Sequence, residues 1–580
     1  VSGPDLTQDI SVNSLTVGLG AGDISTNSVF GYQALSSNTT GYQNVANGYQ
    51  SLFSNTTGNN NNANGYQALY SNTTGSNNTA NGYQALKSNT TGNFNTANGS
   101  NALYYNTTGF SNVANGYQAL YSNTTGYSNA ANGYYALTSN TTGNNNIANG
   151  YNALGQNTTG NDNVANGTAA LYFNTTGSQN VANGYGALNS NTTGNNNTAN
   201  GYNALSKNTT GNNNVANGRE ALQSNTTGNN NTANGRGALY SNTTGSQNVA
   251  TGYTALYYNT TGDSNTANGF RALFLNTTGN DNVANGYEAL RNNTTGNNNV
   301  ANGYQALYSN TTGSNNTANG NYALHNNTGS NNVANGYEAL RNNTAIENTA
   351  IGFRALTGNT TGYTNTSTGN NSLLFNTTGH SNTANGSTSL GFNTTGAYNT
   401  AIGLNSGLNN GAGNNNTFVG IYTDVSPTTS TWSNSTALGY GALITASNQI
   451  MLGRASETVE VLGSIRSTKF TSTSDYRIKK DVIPISDTSY NIDNLKPVTY
   501  TNTINNQQDI GLIAHEIQEE FPFLVTGEKD GEQNQTVNYI GLIGILINEI
   551  QQLKKKEIYH STKINNLETQ IQDIMARLTH

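Results

Sequence analysis

A chain of 580 residues in which only 8% are charged, with 66 glycines, 35 tyrosines, five prolines and no cysteine, is not built like a globular protein, where about a quarter of residues carry charge. Ordinary disorder is excluded as well, because disordered segments gather Pro, Glu and Lys and lose aromatics. The net charge of −7 speaks against nucleic acid or an anionic membrane as partner, and the missing cysteines rule out disulfides, thiolate metal sites and cysteine nucleophiles.

Residues 1–30 precede any repetition and show no secretory apolar segment; we read them as an attachment segment. From 31 to 425 the chain repeats a unit N-x-A-N-G-Y-x-A-L-x-x-N-T-T-G-x-x. Its first glycine returns every 17 residues from Gly31 through Gly48 and Gly65 to Gly320. The step falls by one at Gly336 and again at Gly352, then recovers through Gly369, Gly386, Gly403 and Gly420. So strict a count describes coils stacked one on the next. Seventeen residues are too few for a helix pair. Two glycines per unit predict two short strands and two turns, with Ala, Leu and one Tyr as candidates for the interior. Asn and Thr would stack as ladders from coil to coil, and Gly would supply corners with positive φ. One Leu and two Ala per coil bury little apolar surface against the ordering entropy of the backbone, roughly 1–2 kcal/mol per residue. Three chains sharing an axis would bury the Leu and Tyr positions better. The expected fold is mainly β: a trimeric β-solenoid or β-roll shaft. Each N-T-T-G contains a glycosylation acceptor pattern, as at Asn38, Asn55 and Asn72, which we read as a plain turn.

Two degenerate units, Asn348-Thr349-Ala350-Ile351-Gly352 and Asn399-Thr400-Ala401-Ile402-Gly403, resemble the A-I-G repeats of trimeric autotransporter adhesin heads. The resemblance implies a trimeric parallel β-roll.

Residues 426–473 read as a β connector, with strand patterns at Gln449–Gly453 and Thr458–Gly463. A different composition then begins, rich in Lys, Asp, Glu and Ile. The segment Thr471-Ser472-Thr473-Ser474-Asp475-Tyr476-Arg477-Ile478-Lys479-Lys480-Asp481-Val482 is similar to the S-D-x-R-x-K signature of the self-cleaving intramolecular chaperone domain found at the C-termini of phage endosialidase tail spikes and related fibres. The similarity continues through Leu495-Lys496-Pro497-Val498, Ile510 to Ile517, and Phe521-Pro522. It implies a chaperone and autoprotease domain over 474–541, trimerisation, help in folding a β-rich shaft, and release by cleavage at the serine.

On that resemblance Ser474 is the nucleophile and Lys479 the base, with cleavage at Thr473-Ser474. A serine hydroxyl needs such a base, and an amine serves only when neutral, its pKa lowered by burial and neighbouring cations. Arg477 and Lys480 are placed to supply that positive field, with Asp475 as a further supporting residue. Taken alone, Ser-Asp is also a common turn or helix cap and Lys-Lys a common solvated surface. His515-Glu516, at the start of an amphipathic helix, has no metal partner at suitable spacing, so we expect a structural role. No cofactor and no metal are expected.

From 542 to 580, Ile543, Leu546, Ile550, Leu553, Glu557, His560, Ile564, Leu567, Ile571, Ile574 and Leu578 keep a 3-4 spacing. That is a coiled-coil seam with two polar core positions, or a helix break near Lys554-Lys555-Lys556. The function expected is a structural homotrimeric viral fibre or adhesin at the virion surface, at most a single-turnover self-cleaving serine endopeptidase. Its partners would be other virion or fibre proteins through the N-terminus and a host-surface glycan or receptor, with neither nucleic acid nor membrane insertion. The alternative is a ligand-binding solenoid, with a glycan- or ice-binding face, whose trimerisation domain stays uncleaved. A glycan-degrading spike is opposed by the scarcity of carboxylates in the repeats.

Overall fold

The computed structural model describes residues 9–12, 15–426, 431–459, 461, 479–485, 490, 492–503, 506–532 and 534–579. Two compact units are present, Val1–Glu460 and Val461–His580.

The first unit is a β-solenoid of 17-residue coils. The coil from Asn61 to Asn77 is representative. It contributes one strand, Asn62–Asn64, which pairs in parallel with Val45–Asn47 before it and Thr79–Asn81 after it. The same pairing runs through the shaft to Ile450–Leu452. The central Ala63 faces inward, together with Ala68 and Leu69, and all three are fully buried.

The second predicted strand is absent from the coil. Tyr66 to Ser71 form turns in which Gln67 and Leu69 adopt φ of 53° and 52°. These left-handed residues let two consecutive side chains, Ala68 and Leu69, both face the interior, which the alternation of a strand does not allow. They also turn successive peptides along the shaft, so that Gln67 N–H donates to Tyr49 O in the preceding coil and Leu69 N–H to Ala85 O in the following one. A left-handed leucine costs roughly 1–2 kcal/mol, and full burial of its side chain returns about 1.5–3 kcal/mol. The strain is therefore offset within each coil.

Burial of Leu69 is complete in a single chain, so the leucines need no neighbouring copy to leave water. The tyrosines lie outside. Tyr32, Tyr49, Tyr66 and Tyr83 stack face to face at 5.1–5.2 Å, and Tyr66 is 42% exposed.

Asparagine ladders fill the rest of the interior. Asn72 Nδ2 donates to Asn55 Oδ1 (2.8 Å) and to Gly75 O (2.9 Å). Asn61 Nδ2 donates to Gly75 O (2.9 Å) and Asn44 Oδ1 (3.2 Å). Two buried amides thus hold the inward carbonyl of each N-T-T-G corner, which satisfies polar groups that burial would otherwise penalise. The two glycines of a coil answer different demands. Gly65 has φ of 143° and also lies against Gly82 O, whereas the corner glycine, Gly75, is needed for close approach alone: a Cβ there would run into Asn72 Oδ1 and Gly92 O.

The 16-residue steps shorten the corner, at Asn327-Thr328-Gly329 and Asn343-Thr344-Ala345, and leave the strand register intact. At the start of the stack, Leu15–Gly18 pairs antiparallel with both Ile10–Val12 and Ser28–Gly31, covering the open strand edge.

The second unit holds a hairpin (Val498–Asn502 with Gln507–Gly511), helix α1 (Ala514–Glu520), a short hairpin (Val525–Thr526 with Thr536–Val537) and the 40-residue helix α2 (Tyr539–Leu578). Its core is Ile517, Phe521, Leu524, Val525, Leu542 and Ile545, with Leu495 and Leu512 packed against it. The motifs singled out in the sequence after Lys480 are thus core-forming segments. Asn538 caps α2 through Gly541 N–H, and Tyr539 Oη accepts from Leu512 N–H at 3.1 Å, fixing the helix start to the first hairpin. The helix continues unbroken through Lys554-Lys555-Lys556.

Candidate functional site

The segment expected to carry the chemistry is described only in part. Thr473, Ser474, Asp475 and Arg477 lie outside the described residues, as does half of the strand pattern at Thr458–Gly463. Lys479 and Lys480 are described and are solvent-exposed. His515 is half-buried on α1, whose core-facing residue is Ile517. Among the described residues, no group of His, Cys, Asp or Glu is arranged to hold a metal, and no helix is long and apolar enough to cross a membrane.

What the second unit does present is bare apolar surface. Helix α2 docks on its own unit through Leu542 and Ile545, which are 6% and 3% exposed. The heptad seam lies on another face: Ile543, Leu546, Ile550, Leu553, Ile564 and Leu567 are 43–62% exposed. Beside its first turns is a groove of about 270 Å³ lined by Ile492, Leu495, Pro497, Ile510, Leu512 and Leu546 among others. A helix whose last seven turns are exposed on every side draws little stability from its own unit, and isolated helices are marginal in water.

Two of the shaft's carboxylates are held in ion pairs: Glu288 sits 3.4 Å from Arg291 and 4.0 Å from Arg271, and Glu338 lies 2.9 Å from Arg341 and 3.2 Å from Arg354. Paired carboxylates flanking a bond, as glycoside hydrolysis needs, are not formed by these two. The sequon asparagines cannot take a glycan in the folded coil, since Asn38, Asn55 and Asn72 are at most 3% exposed. Of the two corner threonines, Thr73 spends its hydroxyl on Thr90 O at 3.1 Å, leaving only the second to face solvent. Stacking covers the tyrosine faces in the unbroken rows and turns edges and hydroxyls outward.

Fold and sequence together define a repetitive β-solenoid followed by a small helix-tailed domain. Comparison with known proteins identifies that second part: residues 474–526 match the family described as chaperone of endosialidase. The long tail fiber protein Gp37 of Escherichia phage AR1 is 36% identical over 80 residues, covering 12% of this chain and 7% of that protein. The chain therefore spans only a small part of that relative. No solved structure matches the chain.

Proposed function

We propose that this chain is a structural subunit of a homotrimeric virion tail fibre. Its solenoid is the shaft, and its C-terminal domain directs trimerisation and folding before leaving by autoproteolysis at Ser474. The observation that carries the reading is the endosialidase-chaperone match at 474–526, which begins at the serine and comes later in the chain than a cysteine-free solenoid. The likeness to a phage long tail fibre protein supports the virion location, and the exposed seam of α2 supports self-association. Residues 1–30 would join the shaft to other virion or fibre proteins, and a host-surface glycan or receptor is the natural target of such a fibre.

In this mechanism Ser474 Oγ attacks the Thr473 carbonyl as its proton passes to Lys479, the Thr473–Ser474 amide breaks as the Ser474 nitrogen takes up a proton, and water then hydrolyses the resulting ester between Thr473 and Ser474 Oγ to free the C-terminal segment. Lys479 is exposed in the single chain, whereas a lysine base needs a desolvated setting. The reading therefore requires that assembly bury Lys479, with Arg477 and Lys480 beside it. Cleavage would then follow trimerisation, and loss of the clamp would leave the shaft kinetically trapped.

Intact and native mass of freshly expressed protein, beside Ser474→Ala and Lys479→Ala, tests this. Wild type is expected to split into a trimeric shaft and a small C-terminal fragment while both variants stay whole. An uncut wild-type trimer would remove the protease step, and a monomer would remove the fibre reading itself.

A further inference from the structure

In the parallel strands from Val45–Asn47 to Ile450–Leu452, two of the three side chains face outward, and neither outward position is charged in any coil. Charge sits elsewhere on the coil, as at Glu220, Asp281 and Arg291. For much of the shaft the third strand residue is Asn, joined into an axial amide ladder. Asn64 Nδ2 donates to Asn81 Oδ1 (2.9 Å), and the pattern holds to Asn217 and Asn234 (2.9 Å). Each amide thereby finds a partner within its own chain.

Toward the end of the repeats the same position turns aliphatic. Ile402, Val419, Leu438 and Leu452 stand in direct register on consecutive strands. Two residues further along each coil, Leu404 and Ile421 replace the usual tyrosine, which returns at Tyr440. None of these side chains reaches the solenoid interior, which is already filled by Ala401, Phe418 and Ala437. Ile402, Leu438 and Leu452 are 45–46% exposed, Leu404, Ile421 and Tyr440 are 39–49% exposed, and neighbouring Ile450 is 72% exposed. Together they present roughly 600 Å² of largely apolar surface, at the top of the range for a monomer and close to the ~800 Å² per partner of a standard interface.

We infer that this strip is the contact along which copies of the same chain pack against one another in the shaft. The inference rests on the trimer reading and specifies which face of the coil turns inward. A second copy fits because the strand column from Ile402 to Leu452 carries no charge, the Arg454 guanidinium being seated over the Tyr440 ring at its edge (4.0 Å to the ring centre), so its complement is another apolar surface, which an identical strip provides. The second unit of the chain also leaves an apolar seam exposed on α2, and self-association is the one arrangement that covers both. The buried leucines do not enter this contact; the outward residues that replace asparagine do.

The chain contains no cysteine, so single cysteines report cleanly. Leu438→Cys and Ile402→Cys on the strip, with Tyr398→Cys as an exposed control (Tyr398 is 58% exposed), would be made in the full-length Ser474→Ala chain. Each would be labelled with a small maleimide after native mass has fixed the oligomeric state. In a trimer, the strip cysteines are expected to react at least tenfold more slowly than the control, and all three equally after denaturation. Equal rates at all three sites in a proven trimer would overturn this inference and leave the trimer reading standing. A monomeric native mass would overturn both. Should Leu438→Cys fail to fold, as judged by protease resistance, Leu404→Cys takes its place with the same expectation.

Discussion

Replacing Asn157 by alanine tests whether the buried amide ladder holds the shaft together. Asn157 is fully buried. Its Nδ2 donates to Asn140 Oδ1 (2.8 Å) and Gly160 O (3.0 Å), and its Oδ1 accepts from Asn174 Nδ2 (2.7 Å). Truncation does not harm these partners equally. Gly160 O keeps its bond from Asn146 (2.9 Å), and Asn174 keeps its bond to Gly177 O (2.9 Å). Asn140 Oδ1 loses its donor, and one N–H of Asn174 is left buried. Each stranded group costs about 1–3 kcal/mol, so the expected loss is about 2–6 kcal/mol. Coils bond only to their neighbours, so the defect should stay local, as in other repeat arrays. Hydrogen exchange read by mass spectrometry on peptides within 140–177 should accelerate by roughly 30-fold to ten-thousand-fold, with little change beyond 230. Acceleration below about fivefold, or an effect spread evenly along the shaft, would refute the ladder as a source of local stability.

Gly407 stands where other coils place the core leucine, and Phe418 where they place the strand alanine. A Cβ on Gly407 would meet the Phe418 ring at 2.7 Å, so the two changes fill one volume. Gly407→Leu and Phe418→Ala should each destabilise the last coils, by overpacking and by about 3–5 kcal/mol of cavity respectively. The double variant should recover most of that loss in a thermal or exchange measurement; additive losses would show that the sites are independent. Asp424 occupies the core-leucine position of the following coil, and burial raises its carboxyl pKa above 3.8 against bonds from Asn409 and Val425. Because the folded value is the raised one, its stabilising contribution is complete below the unfolded pKa and is lost as pH rises through the folded pKa. Exchange protection of residues 407–426, corrected for intrinsic rate, should therefore increase as pH falls toward 4, and Asp424→Asn should abolish that dependence.

The count of 17 and the inward Ala and Leu were legible because a stacked coil cannot change length or swap an interior residue freely. The shape of the second half of the coil was misread for a physical reason. In Tyr-Gln-Ala-Leu-Tyr the adjacent Ala and Leu both turn inward through a left-handed backbone, an arrangement that a period-two pattern of polar and apolar residues does not reveal. A clue was present in the exceptions. Glycine replaces the Gln-type residue at 186 and 237 and the leucine at 407, with φ of 62°, 64° and 61°, and glycine is the residue that tolerates such angles best. The corner glycines were misjudged in the opposite sense, since close approach is invisible in a one-dimensional pattern. Of the candidate site, the motif around Ser474 was legible and agrees with the family match. The exposure of Lys479 was not, because a lysine in such a motif reads equally as a buried base or as solvated surface.

Near-identical coils also explain why a shaft of this kind would need a clamp. Two copies shifted by one coil along the asparagine face would meet the same uncharged surface, so most of the shaft cannot tell one register from another. Differences accumulate toward the C-terminal end of the repeats: the 16-residue coils, the Gly407–Phe418 exchange, and the aliphatic strip from Ile402 to Leu452. A shift there would set an apolar side chain against an asparagine and strand it. On the fibre reading, the sequence that specifies register thus lies next in the chain to the domain that specifies stoichiometry. Pairing begun at that end carries correct alignment into coils that could not choose it themselves. Pairing begun in the middle of the shaft would have nothing to correct it.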